Sequence, residues 1–305
     1  MAYIPTALAH AVVQQLQQLG DHTPLADCLP ISGGCINNGC QIRTAQAPYF
    51  LKWNDHAPPD MFAAEARGLQ LLAAARCVRV PTVLAVSAGT DTSPPYLLLE
   101  WLAPEPHGHT DWERLGEQLA HLHRTCTAAQ FGLDHDNYIG TTPQINTPHN
   151  DWVVFFRECR LRPQIALAQR NRLLTTTQQH QLERLLMRLP DLLGMLPHTP
   201  ALLHGDLWRG NVLAGAGSIP ALLDPAVYYG EREAEIAYTE LFGRFPEPFY
   251  RAYHATYPLD ASYAVRRDLY NLYHLLNHLN LFGASYSSSV GAVLAQVGEG
   301  VGGGG

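Results

Sequence analysis

The stretch Leu202-Leu203-His204-Gly205-Asp206-Leu207-Trp208-Arg209-Gly210-Asn211 decides the fold. Two apolar residues run into a glycine turn, and His204, Asp206 and Asn211 then stand at the offsets H-x-D-x-x-x-x-N. That is the spacing of a phosphoryl-transfer catalytic loop. The chemistry explains the residue types. One carboxylate has to accept the proton of the acceptor hydroxyl, a role that suits Asp206. A second carboxylate and an amide oxygen have to hold Mg²⁺ on the phosphates. Asn211 supplies the amide, and Asp224 stands at the end of the apolar run Ala221-Leu222-Leu223, just before Pro225. A strand ending in Asp224 next to a loop carrying Asp206 and Asn211 is expected to converge all three.

Upstream, the basic residues are unusual. Of 20 Lys and Arg side chains, Lys52 is the one lysine. It lies in Tyr49-Phe50-Leu51-Lys52-Trp53-Asn54, which alternates like a half-buried strand. Lys is a compact ammonium and Arg a planar fork, so the two are not interchangeable where a point charge is needed. A strand lysine that contacts nucleotide phosphates pairs with a helix glutamate. Glu65 follows in the segment 62–75, rich in Ala and Leu and expected to be a helix. Before the strand, Ser32 to Gly39 is a Gly/Asn-rich turn. Gly33 and Gly34 allow backbone N–H groups to approach a phosphate, and Asn37 offers an amide. Cys35 lies among them, and its oxidation is expected to block nucleotide binding or to link two chains. Leu97 to Leu102, including Glu100, reads as a strand leading to a hinge against which an adenine stacks.

The wider pattern divides the chain in two. Thr6 is expected to cap a helix with an apolar face of Leu8, Val12, Leu16 and Leu19. Strands are expected at 41–44, 49–53, 82–86 and 96–101. Pro104 and Pro106 then mark a hinge. Beyond it the chain turns helical, with a capping signature at Thr110-Asp111-Trp112-Glu113 and long helices at 152–168, 177–189 and 261–282. The expected domains are an N-lobe at 1–103, a C-lobe at 104–297 and a flexible Gly-rich tail at 298–305.

Composition narrows the function classes. At 47% hydrophobic and 15% charged, the chain can bury a large core. Its net charge of −7 with no basic run disfavours nucleic acid and anionic membrane as partners. No apolar run approaches the roughly 18 to 20 residues of a membrane span. The start lacks a secretory signal, and the six cysteines form no C-x-x-C pair, so a reduced cytoplasmic protein is expected. His274 and His278 have helical i,i+4 spacing, but without a third ligand nearby they do not read as a metal site.

With these residues assembled, the chain resembles the fructosamine kinase (ketosamine-3-kinase) family from about Ile31 to Tyr286. The resemblance rests on Trp208 within His204-Gly205-Asp206-Leu207-Trp208, and on Asp224-Pro225-Ala226-Val227-Tyr228-Tyr229-Gly230-Glu231-Arg232-Glu233. It also rests on Asp136-Asn137-Tyr138-Ile139-Gly140, on Arg160-Leu161-Arg162-Pro163-Gln164 and on 269–283. It implies an α+β, two-lobed protein-kinase-like fold with a small β-rich N-lobe and a larger, mostly helical C-lobe. The implied activity is ATP-dependent phosphorylation of the 3-hydroxyl of a free or protein-bound ketosamine, leading to deglycation. Asp206 would be the base, Asn211 and Asp224 the Mg²⁺ ligands, and Lys52 with Glu65 the phosphate anchor. Gly33, Gly34, Cys35 and Asn37 would lie at the nucleotide loop, and Glu100 and Leu102 at the hinge. Trp208, His204 and Arg209 would lie at the acceptor. Apart from the resemblance, the expected assembly is a monomer or, through oxidised Cys35, a redox-linked dimer. Arg209 departs from a usual small residue and Glu235 from a usual Asp. The alternatives are a kinase of the aminoglycoside or choline type and a catalytically dead binding or redox module, the latter disfavoured by the presence of Lys52, Asp206, Asn211 and Asp224.

Overall fold

Alternation of apolar and polar residues builds the first part of the protein. The computed structural model describes residues 4–31, 36–106, 108–194 and 196–299. Helix α1 (Thr6–Gln18) is followed by β1 (Asp27–Pro30), β2 (Asn38–Arg43), β3 (Pro48–Trp53), helix α2 (Met61–Ala75), β4 (Val83–Ser87) and β5 (Tyr96–Glu100). The strands form one antiparallel sheet in the order β1-β2-β3-β5-β4. Leu8, Val12 and Leu16 of α1 pack with Cys40, Ile42, Leu51, Trp53 and Leu98 in one cluster. Two expectations for α1 need correction. Pro5 occupies the cap position and Thr6 makes no capping bond, because it is already the first helical residue. Leu19 lies past the last turn and is 52% exposed.

After β5 come α3 (Trp112–Thr125) and the hairpin of β6 (Asn137–Ile139) and β7 (Thr142–Gln144). Helix α4 (Trp152–Phe155) runs through a π-helical turn, Phe156–Leu161, into α5 (Arg162–Arg170). Asp151 caps α4 by accepting from Val154 N–H. Helix α6 (Thr176–Leu193) starts with a Thr175/Gln178 capping box and carries Pro190 in its last turn, so it outlasts the expected end at 189. The motif region folds as short strands: β8 (Ala201–Leu203), β9 (Val212–Ala214), β10 (Pro220–Leu222) and β11 (Tyr228–Gly230). Strand β9 pairs with β10, and β8 with β11. Helices α7 (Arg232–Leu241), α8 (Glu247–Thr256), α9 (Tyr263–Phe282) and α10 (Ser287–Glu299) complete the chain. Helix α10 takes in Gly298 and Glu299, so the segment expected as tail begins helical; residues 300–305 lie outside the described residues.

The chain separates into two compact units, one of residues 1–111 and 210–225, the other of 112–209 and 226–305. The first reaches past residue 103 and takes the β9–β10 hairpin from the second half of the sequence. Backbone bonds hold that hairpin there, from Glu105 N–H to Ala214 O at 2.7 Å and from Leu222 N–H to Arg79 O at 2.8 Å. The second unit has its own core around Trp152, Phe155, Phe156, Leu186, Tyr270 and Leu276. Among the described residues no helix is long and apolar enough to cross a membrane.

Candidate active site

In the first unit, the lone lysine sits on the central strand of the sheet. Lys52 of β3 pairs with Gly39 of β2 on one side and with Leu97 of β5 on the other. It is 6% exposed, and its Nζ donates to Glu65 Oε1 and Oε2 at 2.9 and 2.8 Å and to Asp224 Oδ1 at 3.0 Å. Burial works to lower the ammonium's pKa. Asp224 and then Glu65 outweigh it, so the value rises above that of an ordinary lysine and the charge is held. Helix α2 brings Glu65 to this point because its Ala64, Ala66, Leu69 and Leu72 are buried. Asp224 follows β10 with φ of +53°, a left-handed conformation that Asp tolerates better than most residues. Its side chain is 46% exposed. Asn211 is buried in the same unit, and its carbonyl accepts from Leu223 N–H at 2.9 Å. A carboxylate and an amide with hard oxygen donors suit Mg²⁺. Among the described residues no three His, Cys, Asp or Glu are grouped so as to hold a metal ion by themselves.

Gly33, Gly34 and Cys35 lie outside the described residues. Asn37 is half-buried, and its Oδ1 accepts from Asn54 Nδ2 at 3.0 Å, so its amide is tied to the end of β3. Glu100 ends β5 with its carboxylate accepting from Arg79 and from Thr82 N–H and Oγ1. Leu102 is half-buried just beyond the strand. The carboxylate of Glu100 is thus engaged by Arg79 and Thr82 at the end of β5.

In the second unit, the loop His204-Gly205-Asp206 is held from helix α7. Glu235 is 3% exposed, and its carboxylate accepts from His204 N–H at 3.2 Å and Gly205 N–H at 2.7 Å. It also faces His123 Nε2 at 2.9 Å. Burial works to raise its pKa, but His123, His204 and the Gly205 N–H outweigh it, and the carboxylate lies below its ordinary value. The Glu that departs from the expected Asp therefore braces the loop. Gly205 has φ of +84°, and a Cβ there would lie 2.0 Å from Ala226 O. His204 was expected at the acceptor. It is instead fully buried, and its Nδ1 accepts from Asp206 N–H at 3.3 Å. Its ring shapes the turn and has no free face for a substrate. Asp206 and Trp208 are half-buried and Arg209 is exposed, with its guanidinium 5.7 Å from the centre of the Trp112 ring.

Residues to which the sequence reading assigned no role reinforce this loop. Tyr238, on α7, is buried, and burial first and then the charge of Asp206 push its hydroxyl well above the ordinary phenol range. Asn137 Nδ2 donates to Val227 O at 2.8 Å, and Gln144 Nε2 donates to Ala226 O at 3.0 Å. Ala226 N–H in turn donates to His204 O at 2.9 Å. Arg160, fully buried, donates to Asn146 Oδ1 and Ile145 O and stacks 3.8 Å from the Tyr228 ring centre. The Asp136–Gly140 and Arg160–Gln164 segments are therefore parts of one buried polar frame under the loop.

Three comparisons agree with this geometry. The family model for fructosamine kinase matches residues 8–299. The chain is 42% identical to a Synechocystis protein described as a probable ketoamine kinase, over 93% of this chain and 95% of that protein. It is 38% identical to the chloroplastic protein-ribulosamine 3-kinase of Arabidopsis thaliana, over 90% of this chain and 83% of that protein. A crystal structure from Haemophilus somnus 129PT assigned to fructosamine-3-kinase superposes with a TM-score of 0.85 at 29% identity, covering 94% of this chain and 96% of that one. Aminoglycoside phosphotransferase APH(4)-Ia, in a ternary complex with ADP and hygromycin B, shares the fold alone. Its TM-score is 0.64 at 16% identity, with 98% of this chain and all 100% of that one covered.

Proposed function

The chain belongs to the fructosamine kinase family, and from that premise we propose that it transfers the γ-phosphoryl group of ATP to the 3-hydroxyl of a ketosamine, free or protein-bound. The phosphorylated adduct then eliminates spontaneously and releases the amine, so the outcome is deglycation. The observation that carries this reading is Lys52, bonded to Glu65 and Asp224 at once. A chain that had lost phosphoryl transfer would have no use for a buried ammonium shared between two carboxylates.

The roles follow from the chemistry. Lys52, oriented by Glu65, holds the nucleotide phosphates. Asp206 accepts the proton of the acceptor hydroxyl as the oxygen attacks. Asp224 and Asn211 hold Mg²⁺, which when bound neutralises charge on the phosphates. Gly33, Gly34, Cys35 and Asn37 belong to the nucleotide loop, and the backbone at Glu100 and Leu102 to the adenine contact. Trp208 offers a flat face to the carbons of the sugar or amine, and Arg209 adds a positive charge beside it.

The test is ADP release with a matched set of ketosamines made from four-, five- and six-carbon sugars on one amine, run beside an aminoglycoside and choline. Turnover of the ketosamines alone is the expected result. Turnover of the aminoglycoside or choline with none of the ketosamines would overturn the reading.

A further inference from the structure

Strand β7 ends in a buried glutamine, Gln144, which is 2% exposed. Its Nε2 donates to Ala226 O at 3.0 Å and to Asn137 Oδ1 at 2.8 Å, and its Oε1 accepts from the Tyr273 hydroxyl at 2.7 Å. Both amide protons and the amide oxygen are therefore in use. The orientation of this amide is settled by partners that can act in one way only. Ala226 O accepts, so the nitrogen of Gln144 must face it. Asn137 Nδ2 donates to Val227 O at 2.8 Å, so Asn137 turns its oxygen toward Gln144. Asn146 Nδ2 donates to the same Asn137 oxygen at 2.9 Å and to His135 O at 3.1 Å. The oxygen of Asn146 accepts from Arg160 Nη2 at 2.8 Å, and a guanidinium can only donate. Burial pushes the Tyr273 hydroxyl above the ordinary phenol range, so it keeps its proton. The donors run one way, from Arg160 and Tyr273 toward the carbonyls of Ala226 and Val227.

Ala226 is the plate on which the catalytic turn lies. Its N–H donates to His204 O at 2.9 Å. Its carbonyl oxygen stands so close to Gly205 that a Cβ there would lie 2.0 Å away. The N–H groups of His204 and Gly205 go to Glu235. The turn just before Asp206 is thus gripped through its N–H groups by α7 and through a C=O by Ala226. Gln144 is the side chain that takes up the free carbonyl of that Ala226 plate.

We propose that Gln144 is a positioning residue for Asp206: it holds the Ala226 peptide, and the Ala226 peptide holds the His204-Gly205 turn from which Asp206 projects. The proposal rests on the reading of Asp206 as the base. It acts on turnover and not on nucleotide affinity, because Lys52, read as the phosphate anchor, belongs to the other unit.

Gln144→Met keeps the length of the side chain and deletes its three bonds. It should lower kcat by at least about tenfold, with KM for ATP within about twofold of the parent protein. Gln144→Glu is the sharper variant. Protonated, the new carboxyl can still donate to Ala226 O. Ionised, it donates nothing and sets a negative charge against two acceptor oxygens. The titratable and charged groups around it are Tyr273 on α9, Tyr228 on β11, Arg160 in the π-helical turn and Asp206 itself. Burial moves such a carboxyl into the range of about 5 to 9, so kcat relative to the parent protein should fall as pH rises through that range. Circular dichroism at each pH follows the fold. A Gln144→Met kcat equal to that of the parent protein, an effect confined to KM, or a Gln144→Glu ratio flat in pH would overturn the proposal. So would two variants that are both unfolded, since the side chain would then hold the fold and not the turn. Asp206→Asn on the same assay separates the two levels. It should cut turnover by on the order of a thousandfold while nucleotide binding persists. Retained turnover in Asp206→Asn would remove the base and this inference with it. An inert Asp206→Asn beside a fully active Gln144→Met would remove this inference alone.

Discussion

Lys52 shows how much a single side chain can carry. Its ammonium satisfies three carboxylate oxygens within 3.0 Å, an arrangement open to three tetrahedral N–H donors and closed to a planar fork of five. Lys52→Arg keeps the charge and displaces it, and a misplacement on the ångström scale costs about a hundredfold in rate. The expected outcome is a fall of that order in kcat/KM with the fold retained, checked by steady-state kinetics and a melting curve. This residue was legible because the sequence has one lysine, and Glu65 was legible because a helix thirteen residues on has one carboxylate. The left-handed backbone of Asp224 was not legible, since Asp also occupies ordinary conformations. Nor was the burial of His204, whose motif position reads the same whether the ring faces a substrate or the core.

Among the elements, α7 was the least visible in advance and is central to the site. Its sequence Arg-Glu-Ala-Glu-Ile-Ala-Tyr-Thr-Glu-Leu looks like a solvated helix or a loop, yet Glu233, Glu235, Tyr238 and Thr239 are all buried. Pattern reading assigns polar residues to the surface, and here they are inside because each has a partner. Glu233 accepts from Arg266 at 2.7 Å through both oxygens, and Glu235 accepts from the loop. The short strands β6 to β9 and β11 escaped for a different reason: three residues are too few to show a period, and β10 was legible only from the apolar run before Asp224. Long elements with regular apolar spacing, α2, α9 and β3, were legible to within a residue or two. The packing of loop on strand also sets a prediction. Gly205→Ala adds a methyl group 2.0 Å from Ala226 O at a φ of +84°. It should cost at least about 2 kcal/mol of stability and lower activity with it, read from denaturant unfolding and ADP release.

For the whole molecule, two separate cores mean that stability has local sources. One is Asp21, which ties the end of α1 to the sheet. Its carboxylate accepts from Thr23, from Thr44 Oγ1 at 2.6 Å and from Tyr49 Oη at 2.8 Å. Burial works to raise its pKa, but these bonds, from Thr23 first, outweigh it and bring the value from 3.8 down to about 2. A depressed carboxylate stabilises the folded state above its unfolded value, and that gain disappears as pH falls through the folded one. Asp21→Asn should therefore melt below the parent protein at neutral pH. The gap between the two should close as pH falls from about 4 to about 2, followed by thermal melts across that range. The division into a sheet unit and a helical unit was legible from the change in periodicity near the prolines. The return of residues 210–225 to the first unit was not, because the short apolar island reads alike in either place.

The burial of Lys52 also reaches into how the protein can be handled. Its one ε-amine is 6% exposed and held by two carboxylates, so an activated ester dye or an aldehyde resin meets no accessible lysine among the described residues. Amine-directed conjugation is therefore expected to leave this ε-amine unmodified.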